Sequence, residues 1–579
     1  MMTMDARQRP ARVGELRPSQ LLSSFGVGAT VDLPHLSVMV MGLDDWSPAY
    51  TTAVTEERLL AAVRHSLGSQ VSALRTAPWL PENDNPFDEW ARVGVPVSVF
   101  PRWLRCPRCS ILAPVSSGLF ELKVHPVRTD RTRYEHANCS GARRAPPVLA
   151  ARFLLACPAG HLDDFPWVEF THRFAPCADP RLALRETGVS GQASDVQVRC
   201  RACGEDAQAK LPRCRGRHPH LATFTPGCDQ PVGSILLGAS NEWFGVRLRV
   251  LSIPARGERL AQLAADHWAD LQHVTSPEVL RFARTQPQFG AFAEFGDDDL
   301  WAAVEARRSS GGEAPEDPED LLGPEWAVFS EPDSAPSGGD FQLRAQPPPA
   351  RFAGRVAQVV LAERLREVQA LVGFTRIDAP DELRADPLWV PCAEVRGEGV
   401  FLRLAEEPLA AWERGAGRSP RAQAFRSAWR EWCVARRIED PDAGWPGMRF
   451  VLVHSLAHAL IREFALECGY GAAGLGERLY TERTAGGRMA GLLLYTAAPD
   501  SEGTLGGLVE LLVQALERAK LCSSDPLCAE HEPDARALHG AACHACMFAA
   551  ETSCQAGNRF LDRDLLVETF EPTGLAFFG

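Results

Sequence analysis

Four cysteines toward the end of the chain are spaced Cys522-x5-Cys528-x14-Cys543-x2-Cys546, and Cys554 follows after seven residues. A CxxC knuckle sets two thiolates about one tetrahedral edge apart, and a second pair completes a four-sulfur zinc site. Four sulfur ligands leave no position for a reacting water, so this metal would hold a fold together. Cys554 is a spare that could replace Cys522 or Cys528 as a ligand. His544, between the knuckle cysteines, reads as a surface residue. Two more sets lie upstream: Cys106-x2-Cys109 with Cys139 and Cys157, and Cys200-x2-Cys203 with Cys214 and Cys228. His136, His161, Cys177, His218 and His220 compete with them as ligands, Cys177, His161 and Cys554 being the alternative ligands that stand out. In a reducing compartment such cysteines bind metal rather than form disulfides.

"VHSLAHALIRE" puts His454 and His458 four apart on one helix face, with Glu463 nearby, a spacing that can chelate zinc. The metalloprotease pattern HExxH needs a glutamate after the first histidine, and here Ser455 stands there. In so apolar a segment, satisfied core histidines are the better reading. His161 with Asp163 and Asp164 is the other set from which a metal-dependent nuclease or hydrolase could be built. The stretch "PDSEGTLGG" lies between a strand and a helix, where Gly503, Thr504 and Gly506 could meet a phosphate. It lacks the P-loop lysine, and neither GxxxxGK[ST] nor GxSxG occurs. No catalytic residue is assigned, and a non-enzyme is expected.

These residues need elements to hold them. A chain of 579 residues exceeds one hydrophobic core. The expected fold is α+β and multidomain, with a β-rich zinc-ribbon-like module in the N-terminal half and an α/β C-terminal domain around the four-cysteine site. The expected divisions are an α/β region at 1–100, a basic zinc-ribbon-like module at 101–254, a helical segment with an acidic linker at 255–350, a helical connecting region at 351–447 and a zinc-binding domain at 448–579. Within the fourth, "RVAQVVLAERLREVQALVGF" reads as a long amphipathic helix following prolines. "GLLLYT" reads as a buried strand. No apolar run reaches the roughly 20 residues that span a bilayer, and the first residues lack a signal-peptide core, so a cytoplasmic location is expected.

Net charge is −13, which speaks against a uniformly basic nucleic-acid binder. The average conceals a division. Residues 101–250 carry 21 Lys and Arg against 13 Asp and Glu, whereas 291–340 carry 14 acidic residues against two arginines. The basic stretch offers Arg105, Arg108, Arg131, Arg133, Arg143, Arg144, Arg213, Arg215 and Arg217 for phosphate contacts, with Thr504 as a further candidate. Trp103, Trp167 and Trp243 could stack bases if exposed. The acidic stretch could act as a gate or a DNA mimic.

Several ordered strings together resemble the DrmB family, the non-helicase subunit of the DISARM anti-phage system. They are "RPSQLLSSFGVGATVDLPHLSVMVMGLDDW", "RFLLACPAGHLDDFPWVEFTH", "LLGASNEWFGVRLRVLSIP", "HSLAHALI", "GLLLYTAAPDSEGTLGGLV", "CSSDPLC" and "CHACMFAAETSCQAGNRFLDR". The last four resemble the zinc-binding region appended to DNA-repair helicases of the MrfA type. The resemblance implies a zinc role for Cys522, Cys528, Cys543 and Cys546. It implies a DrmA-like superfamily 2 helicase as partner, and DNA that is single-stranded or carries free ends. It also implies a part in restricting phage DNA while methylation marks the host's own, and it supplies no catalytic residues. The rival classes are a metal-dependent nuclease or hydrolase and a pure protein-interaction scaffold.

Overall fold

Short strands bounded by Gly, Pro and Cys dominate the first half of the chain, while the longest helices come after residue 400 in the computed structural model. The structure describes residues 12–186, 196–206, 208–239, 241–254, 264, 267–292, 295–309, 318–335, 339–377, 379–436, 438, 440–442, 444–467, 474–484, 487–496, 508–522, 527–550, 553–569 and 574–579. The fold is α+β, divided into two compact units, Met1–Arg249 with Gln369–Ala393 and Val250–Val368 with Glu394–Gly579.

The first unit is built from small sheets. Strands β1 (Trp103–Arg105) and β2 (Ile111–Pro114) form a hairpin, and a second hairpin joins Phe120–Lys123 to β3 (Arg133–His136). Strand β4 (Phe153–Ala156) lies between β5 (Leu162–Asp164) and β6, which spans Gly233–Leu236. The period-2 alternation of a strand decides how β4 is used. Phe153 and Leu155 enter one apolar cluster with Phe165, Trp167 and Leu184, and Leu154 and Ala156 enter another with Met39, Phe100 and Leu162. Both faces are therefore buried, and the position of β4 is over-determined.

The second unit packs helices on an antiparallel sheet. Helix α1 (Gly447–Glu467) is apolar nearly all round and buried along most of its length, as expected of a helix enclosed on all sides. It packs on strands β7 (Leu475–Tyr480) and β8 (Gly491–Thr496), which pair antiparallel, and on helix α2 (Leu508–Ala519). Its buried Arg449 is matched by Glu406 at 2.6 Å and Glu413 at 3.0 Å. Helices at 277–283 and 297–309 lie in the segment expected to be helical and share a smaller core of Leu280, Phe292, Leu300 and Val304.

The helix expected after the prolines near 350 is a strand. Val356–Arg376 is extended over 21 residues, and Trp389–Leu404 is a second long strand. The helices of that region come later, at Glu406–Ala416 and Pro420–Ala435. The physical reason lies in burial. Val356, Val359, Val360, Leu361, Val368 and Val372 cover both faces of the segment, and such two-sided burial mimics a helical period in part. β-Branched side chains settle the choice in favour of a strand, and residues 359–364 pair antiparallel with Gln342–Gln346.

Candidate metal centres

In the first unit, the loop between β1 and β2 is the sequence Cys-Pro-Arg-Cys-Ser. The Ser110 N–H donates to the Cys106 carbonyl at 2.8 Å, and the Cys106 N–H donates to that of Ile111 at 2.9 Å. Ser110 takes φ +60° to complete this tight turn. The loop so closed presents both sulfurs to the end of β3, where Cys106 Sγ is 3.7 Å from Cys139 Sγ and Cys109 Sγ is 3.5 Å from His136 Nδ1. The four donors Cys106, Cys109, His136 and Cys139 lie within 4.8 Å of one another.

Cys157, expected with that set, belongs elsewhere. It follows directly on β4, and the turn Cys-Pro-Ala-Gly-His leading to β5 closes on itself, with the Gly160 N–H donating to the Cys157 carbonyl at 3.0 Å. Gly160 sits at φ +80°, a conformation that suits glycine. Cys157 Sγ thereby comes 3.3 Å from His161 Nδ1, and Cys214 Sγ lies 3.5 Å from the same nitrogen. Cys228 completes this group. The reason for the regrouping is sheet order, because β4 is paired to β5 and β6 and not to the β1–β2 hairpin.

The expected set around Cys200 and Cys203 is regrouped in the same way. Cys214 and Cys228 are replaced by His172 and Cys177. His172 follows the short helix Trp167–Thr171 and its Nδ1 lies 2.8 Å from the Val168 carbonyl. Donation there leaves Nε2 free to face Cys203 Sγ at 3.4 Å. A ring nitrogen anchored to a carbonyl while the other faces the donors is the outer support typical of metal-binding histidines. Cys200 is held down to about 6: burial opposes ionisation, but backbone N–H groups of Cys203, Arg181 and Ala202 outweigh it, with His172 adding to them.

Other candidates are engaged differently. His218 bonds Asp381 at 3.0 Å and Thr225 at 2.9 Å, and His220 bonds the Glu382 carbonyl at 2.9 Å. Asp163 is paired with Arg215 at 2.8 Å and Arg217 at 3.3 Å, and Asp164 with Arg102. The two carboxylates that a nuclease reading would use are thus committed to arginines. Trp167 and Trp243 are buried and Trp103 is half-buried, so two of the three tryptophans offer no stacking face. Arg108, Arg131, Arg143, Arg144, Arg213, Arg215 and Arg217 are exposed, whereas Arg105 and Arg133 are half-buried. Thr504, with its loop, lies outside the described residues.

In the second unit, Cys522, Cys528, Cys543 and Cys546 come together with sulfur separations of 3.6 Å (Cys522–Cys543 and Cys528–Cys546) and 3.7 Å (Cys543–Cys546). The knuckle is a tight turn in which the Cys543 carbonyl accepts N–H bonds from Cys546, Met547 and Phe548. The Ala545 N–H donates to Cys543 Sγ at 3.3 Å. Cys528 is held down to about 5 by its bond with Cys546 foremost, against the effect of burial, and the Arg563 guanidinium contributes. All-sulfur donors in a closed apolar setting fit zinc. His544 is exposed, outside the group.

Glu463 turns away from His454 and His458 and pairs with Arg518 at 3.1 Å. The two histidines face Glu477 and Cys554 instead, so Cys554 is not the spare of the four-cysteine group. Ser455, standing where HExxH has glutamate, accepts the Asp562 N–H at 2.8 Å and donates to the Val451 carbonyl at 2.6 Å. Glu477 was not singled out from sequence. Its signal in the sequence is a carboxylate, next to Arg478, in a strand whose other residues are uncharged.

Comparison with known proteins bears on both units. Residues 17–244 match a domain of unknown function (DUF8724), and residues 456–547 match the MrfA Zn-binding domain. That match and the four sulfurs together establish zinc as the cofactor of the C-terminal domain. A crystal structure of the DUF1998 helicase MrfA bound to DNA overlaps 39% of this chain and 25% of its own, with 10% identity and a TM-score of 0.21, too slight a likeness to bear on the fold. The DISARM protein DrmB of Bacillus paralicheniformis is 30% identical over 525 residues, covering 84% of this chain and 91% of its own length. By that extent of shared sequence, the chain belongs to the DrmB family of DISARM proteins.

Proposed function

We propose that this protein is a non-catalytic, DNA-binding accessory subunit that associates with a DrmA-like superfamily 2 helicase in the restriction of phage DNA, in the cytoplasm. Kinship with DrmB supports the system and the helicase partner. Among the described residues, no helix is long and apolar enough to cross a membrane. The observation that carries the DNA-binding part is the position of exposed arginines on ligand loops. Arg108 lies between Cys106 and Cys109, Arg143 and Arg144 follow Cys139, and Arg213 precedes Cys214. Zinc in the three groups of the first unit would make these loops rigid, so the arginines would meet a phosphate backbone with little ordering cost.

Zinc in this reading supplies no chemistry beyond tying loops together, and the chain's own residues bind the backbone. Such contacts are blind to sequence and weaken with salt. The test measures binding of a short labelled single strand to the full chain between 50 and 300 mM salt. Replacing Arg108, Arg143 and Arg144 together by alanine should lower the slope of log affinity against log salt by about two, at roughly 0.7 per lost phosphate contact on a single strand. A parent protein that retains no strand in a salt-dependent way, even at 50 mM, would favour the pure scaffold.

A further inference from the structure

We propose that the second unit carries a second, separate zinc site, formed by His454, His458, Glu477 and Cys554. Four donor atoms, one per residue, lie within 4.8 Å of one another. His454 Nε2 is 3.2 Å from both Cys554 Sγ and Glu477 Oε1, and His458 Nε2 is 3.7 Å from Glu477 Oε2. Ligands around tetrahedral zinc, at about 2.0–2.3 Å from the metal, stand roughly 3.3–3.8 Å apart. These separations are of that size, and the donor types are those zinc accepts.

The surroundings are arranged as an outer shell. The His458 Nδ1–H donates to the Met547 carbonyl at 2.7 Å, which leaves the Nε2 lone pair directed to the group. The Gln555 N–H donates to Glu477 Oε1 at 2.8 Å, and the Asn558 N–H to Cys554 Sγ at 3.2 Å. His458 Nε2 and Glu477 Oε2 are buried without a hydrogen-bond partner, a costly state for polar atoms that a metal ion would relieve.

Charge points the same way. Exposure is 0% for His454 and Glu477, 1% for His458 and 6% for Cys554. A dication with one carboxylate, one thiolate and two neutral imidazoles is electrically balanced, which is what such an interior requires. Four protein ligands leave no open position, so the site is structural. It is also distinct from the four-cysteine site, which uses none of the same residues. His454 and Cys554 both lie outside the stretch that matches the MrfA Zn-binding domain. The ion would join α1 and β7, which follow one another in the chain, to the loop after the knuckle, which lies far downstream in sequence.

The test counts zinc in the full-length protein by native mass spectrometry, for the parent, Cys554→Ser, Glu477→Gln and Cys546→Ser. One equivalent should be lost in each of the first two variants. Cys546→Ser should lose a different one, so that Cys554→Ser combined with Cys546→Ser loses two. To keep the test independent of how the variants fold, the parent protein is also crystallised and anomalous scattering is collected at the zinc edge. A peak among the four side chains is expected. A peak at the four-cysteine site with none here would overturn the proposal, as would unchanged zinc content in folded Cys554→Ser and Glu477→Gln proteins. The group would then be a metal-free network in which an imidazolium balances Glu477.

Discussion

His220 shows how a single side chain can be spent on the fold when its type suggests a ligand. It is fully buried, its Nε2 bonds the Glu382 carbonyl, and burial pushes it down to about 4. The unfolded chain would protonate it near 6.5. Between those values the unfolded state binds the extra proton, so this residue's contribution to stability is complete above about 6.5 and falls as pH drops toward 4. His220→Gln keeps a donor for the carbonyl and removes the titration. Relative to that variant, the parent should lose about 1.4 kcal/mol between pH 7.5 and 5.5. Urea unfolding of both proteins at the two pH values measures it, and effects of the metal sites cancel in the comparison. A difference that does not change with pH would mean that His220 takes up its proton alike in the folded and the unfolded protein, and a parent that gains on the variant at low pH would mean that its imidazolium is favoured by folding.

At the scale of elements, the CxxC knuckles were legible because two residues of spacing already define a turn. The distant partners were not. Pairing Cys157 with the Cys106 knuckle used proximity in sequence, whereas β4 answers to its neighbours β5 and β6. The turns Cys157-x3-His161 and His172-x4-Cys177 carried usable signals, a ligand pair closed by a glycine in one and a helix end in the other. The strand at Val356–Arg376 reads as a helix in the sequence because burial on both faces erases the alternation that marks a half-exposed strand. Glu477 was hidden because two such strands hold buried charges. Beside it, Arg478 meets Glu325, with Nη2 2.8 Å from Oε1, and Glu325 also receives the Tyr480 hydroxyl at 3.0 Å and the Leu251 N–H at 2.8 Å. This pair ties the helix Gly323–Ser330 to β7. Arg478→Met should cost about 3–5 kcal/mol, since Glu325 is left charged and unpaired. Adding Glu325→Leu should recover a large part of that loss, less whatever the orphaned Tyr480 and Leu251 donors cost. Denaturant unfolding of the three proteins would decide, and a double variant no more stable than the single would show that Glu325 serves its other donors more than Arg478.

Over the whole molecule, charge is divided more sharply than the net value of −13 suggests. The basic stretch lies in one compact unit and the acidic stretch in the other. Deleting 291–340 would not test the acidic stretch cleanly. It would remove Glu325 and Phe329, both with no exposed surface, and with them part of the second unit's core. Asp298, Asp299 and Asp333 are exposed and can be neutralised without touching that core. A gate that repels phosphate acts through the field, which extends about 10 Å at 0.1 M salt and 3 Å at 1 M. Asp298→Asn, Asp299→Asn and Asp333→Asn together should therefore tighten binding of a single strand about threefold at 50 mM salt. The gain should vanish near 0.5 M, where exposed charges are screened. Affinity that is the same for parent and triple variant at 50 mM would leave the acidic stretch without a role in DNA access. Its charge would then be solvated surface, and the salt slope would be set by the arginines of the first unit alone.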